Sequence, residues 1–287
     1  MSVLLLGGPT AAGKSDLAVE LALEHGAAVV SADAMTVYRG LDVGTAKPPA
    51  DVLERVPHAC VDVRDLHESF DVTDFVAAVD AAVERHGRVV VVGGTPFYLQ
   101  ALVRPLADLP PGDQTVRARF EALEDPHVLL TEVDPPSARR LHPNDRVRVV
   151  RALEVHALSG KTLTELHEAG PRRPPLAAAV AWLDRSDLRD RIDLRLQHMR
   201  EQGYVEETGW ALQQEGGRDA RALRSFAYRH LVHHVDGQLG LDEAIRLTAR
   251  DTWRFARKQR TWARGLGWSP VSLDVARQRA AEALKGQ

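Results

Sequence analysis

A chain of 287 residues, 44% apolar and 27% charged, is long enough to bury a sizeable core and too apolar to be a disordered tail. No stretch approaches the ~18 uninterrupted apolar residues of a membrane span, and the opening MSVLLLGG lacks the basic residues that precede the apolar run of a secretory leader. Cys60 is the only cysteine, which excludes an internal disulfide and a cysteine-based metal cluster, so a cytoplasmic, membrane-free setting is expected.

The net charge of −3 hides a gradient. Residues 1–170 hold 16 Lys/Arg against 25 Asp/Glu, whereas residues 171–270 hold 18 against 13. The excess is densest over residues 221–264, with 10 basic and 4 acidic side chains. Lysines account for five of the 37 basic residues. A guanidinium is a planar fork suited to phosphate, so this segment reads either as a solvated basic face or as a phosphate-binding one.

In chain order, residues 3–8 (VLLLGG) form a short apolar run closed by glycine, as in a buried parallel strand. Residues 16–25 then place Leu17, Ala18, Leu21 and Ala22 at helical spacing, and Gly26 stops the helix. A second strand is expected over 27–31, then a polar, glycine-rich stretch over 32–49. A helix over 72–86 leads to a third strand over 88–92, ending in Gly93-Gly94-Thr95. Strand and helix in alternation predict an α/β fold, a parallel sheet core flanked by helices. Leu109-Pro110-Pro111-Gly112 breaks that rhythm, and mainly helical patterns run on to Gly170. After a proline- and arginine-rich break, a strand signal returns over 177–183, with helices over 188–202 and 274–287. The expected organisation is a core in two parts, 1–111 and 175–287, around a helical insertion over 112–174.

Gly8-Pro9-Thr10-Ala11-Ala12-Gly13-Lys14-Ser15 fits the phosphate-loop pattern GxxxxGK followed by Ser or Thr, the motif of many ATP-binding and other nucleotide-binding proteins. Glycines let backbone N–H groups curl around phosphate oxygens, Lys14 adds a point charge, and the Ser15 hydroxyl is a ligand for Mg²⁺. The loop sits between an expected strand and an expected helix, so a phosphate or diphosphate ligand follows. The third strand ends without the acid that nucleotide-hydrolysing relatives use to hold their metal. The acid instead closes the second strand, in Ser31-Ala32-Asp33-Ala34-Met35. At the carboxyl edge of a parallel sheet Asp33 lies where ligands bind, placed to take a proton from an attacking nucleophile or to bind metal.

With GPTAAGKS, SADAMTVYRGLDVGTAKP (31–48), VGGTPFYLQAL (92–102), HPNDRVRVVRALEV (142–155) and SGKTLTEL (159–166), the chain closely resembles the tRNA dimethylallyltransferases, or tRNA isopentenyltransferases. The resemblance runs from about residue 3 to 265. It implies a phosphate-loop core with an inserted helical domain that contacts tRNA. It also implies transfer of a dimethylallyl group from its diphosphate to the exocyclic N6 amine of the adenosine 3′ of the anticodon, with release of diphosphate. Gly8 and Thr10 to Ser15 match the substrate loop, with Lys14 stabilising the leaving group and Ser15 the metal position. Asp33 matches the general base, and Asp33, Ala34, Met35 and Thr36 a tRNA contact beside the reacting adenosine. Thr95 and Arg117 match single tRNA-contacting positions, with Thr95 and Arg224 also assigned to catalysis. In the insertion the contact segment spans 147–151, with Arg148 and Arg151 its useful side chains. Arg224, Tyr228 and Arg229 belong to RSFAYR, which is RCVGYR in relatives, so Ser225 and Ala227 depart from the pattern. Arg257, Lys258, Arg260, Trp262 and Arg264 match an RNA-contacting C-terminal helix, whose bland alternative is a solvated face with Trp262 packed inward.

The rivals are a phosphate-loop small-molecule kinase, an adenylate isopentenyltransferase acting on free nucleotides, and an RNA-binding protein without catalysis. The insertion and the arginine-rich segment favour a large RNA, and the intact loop with Asp33 favours catalysis. A monomer is expected, since no sequence feature demands a partner chain. His233-His234 lacks companion ligands, Trp210, Trp253 and Trp268 are expected to pack, and Cys60 has no activating neighbour in sequence.

Overall fold

The computed structural model describes residues 2–171 and 173–285. They form two compact units, divided after Val103 and again before Leu176. In the first unit β1 (Ser2–Gly7), α1 (Lys14–His25), β2 (Ala28–Ser31), α2 (Ala50–Arg55), β3 (His58–Ala59), α3 (Val72–His86), β4 (Arg88–Gly93) and α4 (Pro96–Val103) precede the second. The second consists of α5 (Gln114–Glu121), α6 (Pro126–Val133), α7 (Pro135–Arg140), α8 (Arg146–Ser159) and α9 (Leu163–Ala169). The first then resumes with β5 (Ala179–Leu183), α10 (Leu188–Glu201), α11 (Tyr204–Gln213), α12 (Arg229–Val235), α13 (Leu241–Gly265), β6 (Pro270–Val271) and α14 (Leu273–Leu284).

The sheet has the order β3-β2-β4-β1-β5-β6, and every pairing is parallel. Side chains alternate along β1. Val3 and Leu5 join Val89, Val91 and the inner faces of α3, α4 and α10, while Leu4 and Leu6 join Val90, Val92, α1 and α14. Both faces are therefore covered, and strands covered on both faces read as unbroken apolar runs. The central strands β1 and β4 align residue for residue from Ser2↔Arg88 to Gly7↔Gly93, which brings their two glycine-rich ends to the same edge.

The second unit is held by its own core of Phe120, Leu130, Val149, Val150, Leu153 and Val155. Its helices begin where short polar side chains accept the first free N–H groups: Asp113, Asp125, Asp134, Asp145 and Thr162. Among the described residues no helix is long and apolar enough to cross a membrane.

Candidate active site

The phosphate loop joins β1 to α1 at the carboxyl edge of the sheet. Gly13 has φ 83°, a left-handed conformation that a side chain would strain, and it turns the chain into α1. Ala11 is also left-handed, at φ 63°, and its carbonyl accepts a hydrogen bond from Arg191 Nε at 2.8 Å. Lys14 lies buried at the first turn, and its ammonium donates to the Pro9 carbonyl at 2.7 Å, folding the side chain back over its own loop. Burial, the positive charge of Arg195 and, opposing them, the carboxylate of Asp33 set the Lys14 pKa at about 8. Arg195 is pressed below its usual value by burial, with Asp33 the largest opposing influence. Lys14, Arg195 and Asp33 thus share one electrostatic neighbourhood: two cations and one carboxylate at the sheet edge.

Asp33 follows β2. One carboxylate oxygen accepts the Met35 N–H at 2.8 Å, an Asx turn that fixes the side chain; among the described residues no hydrogen bond occupies the other. Thr36 is buried, and its hydroxyl is shared among Ser31 Oγ (2.9 Å), the Cys60 carbonyl (3.2 Å) and the Asp33 carbonyl (3.4 Å). Ala34 and Met35 are half-buried against the core. Thr95 is held by its backbone, its N–H donating to the Ala32 carbonyl at 3.1 Å, so it stands beside the Asp33 turn. Cys60 is buried, with its thiol pushed up to about 12, chiefly by desolvation.

The GLDVGTAKP block is a loop wrapped around a carboxylate. Glu207 of α11 accepts three successive N–H groups, from Asp42 (2.6 Å), Val43 (2.6 Å) and Gly44 (2.9 Å), and the Tyr228 hydroxyl at 2.7 Å. A methyl at Gly44 would lie 2.3 Å from the Tyr204 ring, so the loop requires glycine there. Lys47 closes the turn on the Tyr38 carbonyl, Asp42 and Asp62.

A family model described as IPP transferase matches residues 36–266. The chain belongs to the IPP transferase family. It is 44% identical to tRNA dimethylallyltransferase 1 of Citrifermentans bemidjiense over 91% of this chain and 89% of that protein. It is 40% identical to tRNA dimethylallyltransferase of Geobacter sulfurreducens over 91% and 88%. Its fold is similar to that of the tRNA isopentenylpyrophosphate transferase of Bacillus halodurans, with TM-score 0.67, 33% identity and coverage of 99% of this chain and 96% of that one. It is similar as well to a eukaryotic dimethylallyltransferase acting on tRNA, at TM-score 0.77, 25% identity, and 91% of this chain against 69% of that one.

For an IPP transferase, the remaining expected residues fall into two groups. Some are exposed. Arg257, Lys258 and Arg264 lie on the outer face of α13, and Trp262, 39% exposed, donates to Gln100 Oε1 at 2.9 Å and meets Phe97 edge to face. Arg148 of α8 is open to solvent beside Asp145. Others are committed within the protein. Arg260 grips Asp184 through both nitrogens of its fork at 2.8–3.1 Å. In the second unit, Arg117 and Arg151 converge on the buried Glu154 at 3.1 Å and 2.7 Å. Burial pushes that carboxyl up, but the bonds from Arg151, the Asp113 N–H and Arg117 outweigh it and hold Glu154 below the ordinary range.

One expectation needs correction. Tyr228 is wholly buried, so its ring offers nothing to RNA; it fastens the Glu207 loop instead. Arg224, expected in catalysis and at the tRNA, is exposed and pairs with Asp219, and a further arginine, Arg195, acts electrostatically on both Lys14 and Asp33. From its sequence α10 is an amphipathic helix and no more. Arg191 and Arg195, four residues apart on one face beside the core residues Ile192, Leu196 and Met199, carried the missed signal. Arg229 turned out to belong to a hub, joining His230, Arg250 and Arg254 around the buried Asp251. The histidine pair His233-His234 bonds to Gln238 and the Leu239 carbonyl, and no metal-binding group of three His, Cys, Asp or Glu exists among the described residues.

Proposed function

We propose that this chain is a tRNA dimethylallyltransferase: it moves a dimethylallyl group from dimethylallyl diphosphate to N6 of the adenosine 3′ of the anticodon in cytoplasmic tRNA and releases diphosphate. The observation that carries this reading is the grouping of Lys14, Arg195 and Asp33 at the phosphate loop of an IPP transferase. Lys14 and Arg195 hold the diphosphate, with the N–H groups of the loop, and stabilise its charge as the C1–O bond of the donor breaks. The allylic carbon accepts the N6 lone pair. The free carboxylate oxygen of Asp33 takes the proton that N6 loses, so the new C–N bond leaves a neutral amine. Thr95, held beside the Asp33 turn, orients the adenine.

The donor set fits Mg²⁺ brought in by the diphosphate. Ser15 is exposed next to Lys14, and Mg²⁺ shared with substrate phosphates needs only one or two protein oxygens and no dedicated carboxylate cage. Ser15 would hold it, and the ion would supply charge neutralisation on the leaving diphosphate. An exposed basic row on α13 (Arg257, Lys258 and Arg264) and Arg148 of the helical insertion support an RNA acceptor over a free nucleotide. The target adenine must leave its stack to reach Asp33, at a cost of a few kcal/mol that those contacts supply. The test is incorporation of labelled dimethylallyl from its diphosphate, with Mg²⁺, into tRNA, AMP or no acceptor, beside an ATP-hydrolysis assay. Label in tRNA alone, without ATP hydrolysis, is expected. Label in AMP or ATP turnover would replace the proposal with an adenylate isopentenyltransferase or a kinase.

A further inference from the structure

Within the basic stretch 257–264 the buried positions are Gln259 and Ala263. Gln259 is 1% exposed, and both ends of its amide are used. Its Oε1 accepts the Thr10 N–H of the phosphate loop at 3.0 Å, and its Nε2 donates to the Gly94 carbonyl at 2.5 Å. The orientation is fixed by chemistry: an N–H faces one end and a carbonyl the other, so only one amide rotamer satisfies both. The bridge also accounts for Gly94. A methyl there would lie 2.3 Å from Gln259 Nε2.

From Gly94 the connection continues. The next residue, Thr95, donates its N–H to the Ala32 carbonyl, and Ala32 donates its own to Val92 at 2.7 Å, immediately before Asp33. We propose that Gln259 is a positioning residue, which sets the register of the phosphate loop against the loops that carry Thr95 and Asp33. This rests on the prenyl-transfer reading above and adds to it. Diphosphate sits on one side of the bridge and the proton acceptor on the other, so the amide fixes the distance between leaving group and nucleophile. The same helix turns Arg257, Lys258 and Trp262 outward, so one rigid element carries both the RNA-facing row and the bridge.

The test separates loop register from loop integrity. Gln259→Met removes both hydrogen bonds at similar volume, and Gln259→Glu keeps the acceptor for Thr10 while facing a carboxylate oxygen to the Gly94 carbonyl. Misplacement of reacting groups by about 1 Å costs ~10²-fold. Both variants are therefore expected to lose at least about tenfold in single-turnover prenyl transfer at saturating substrates, with pyrophosphate inhibition changed less than about threefold. Gly94→Ala, which displaces the amide from the other side, gives the same signature, and it decides the matter if the Gln259 variants do not fold. The double variant Gly94→Ala/Gln259→Met is no slower than the slower single one, because both remove the same bridge. A Gln259→Met enzyme within about threefold of wild type overturns the proposal. So does a rate loss matched by an equal loss of pyrophosphate inhibition, or fully additive losses in the double variant. Failure of wild type to label tRNA would instead refute the prenyl-transfer reading.

Discussion

Raising the pH from about 7 to about 9.5 is expected to lower kcat/KM for dimethylallyl diphosphate about 30-fold. The cause is Lys14, whose burial beside Arg195 brings its pKa from 10.5 to about 8. That depression corresponds to about 3.5 kcal/mol against the ammonium in the empty loop, at about 1.4 kcal/mol per pH unit. The ammonium that grips diphosphate is present below pH 8 and lost above it, so roughly nine-tenths of the enzyme is competent at pH 7 and about 3% at pH 9.5. For the unliganded fold the sign is opposite. Between the folded value near 8 and the unfolded one near 10.5, the unfolded chain binds more protons, so this group makes stability rise with pH. The assay is the pH profile of kcat/KM at saturating tRNA, for wild type and for Lys14→Arg, whose guanidinium stays charged throughout. Wild type bends near pH 8, and the arginine variant, however slow, stays flat. A wild-type profile level to pH 9.5 would refute the coupling of burial, Lys14 charge and diphosphate binding.

Asp33→Asn keeps the Asx turn but cannot take a proton, so single-turnover transfer should fall ~10²–10⁴-fold with tRNA affinity near wild type; more than about a tenth of the rate remaining would remove Asp33 as the base. Because Asp33 is also the charge that lifts Lys14, pyrophosphate binding in this variant should lose strength at lower pH than in wild type. Arg195→Met should weaken pyrophosphate inhibition at least about tenfold, whereas Arg224→Ala, at an exposed pair with Asp219, should change it less than twofold; equal effects would contradict the placement. Arg257→Ala and Lys258→Ala should each reduce the slope of log tRNA affinity against log salt by about 0.7–0.9 without lowering Tm. Arg260→Ala, which removes the ion-pair partner of the half-buried Asp184, should lower Tm and leave the slope nearly unchanged; the reverse pattern would make Arg260 the RNA contact and the outer face a solvated surface.

The sequence by itself determined the elements whose signals are local. An apolar run ending in glycine is β1, helical spacing after Lys14 is α1, and the punctuation near residues 109 and 171 falls close to the limits of the compact helical unit. The phosphate loop was legible for the same reason: loop, lysine and helix N-terminus are contiguous in the chain. Asp33 was legible because a strand end places it at the sheet edge. The blocks that carried the resemblance were visible but not explained; GLDVGTAKP is a turn closed on Glu207, 163 positions away from Gly44. Tertiary structure alone decided which charged side chains are free. Arg260 and Arg117 look no different in sequence from Arg257 and Arg148, yet half-buried or buried carboxylates far along the chain claim the first two. An unpaired carboxylate is costly to bury, so those partners are as tightly constrained as core residues, but nothing local announces them. Arg195 and Gln259 were missed on the same ground. Their work is done across the sheet edge, against loops that reach them only because β1, β2 and β4 end side by side.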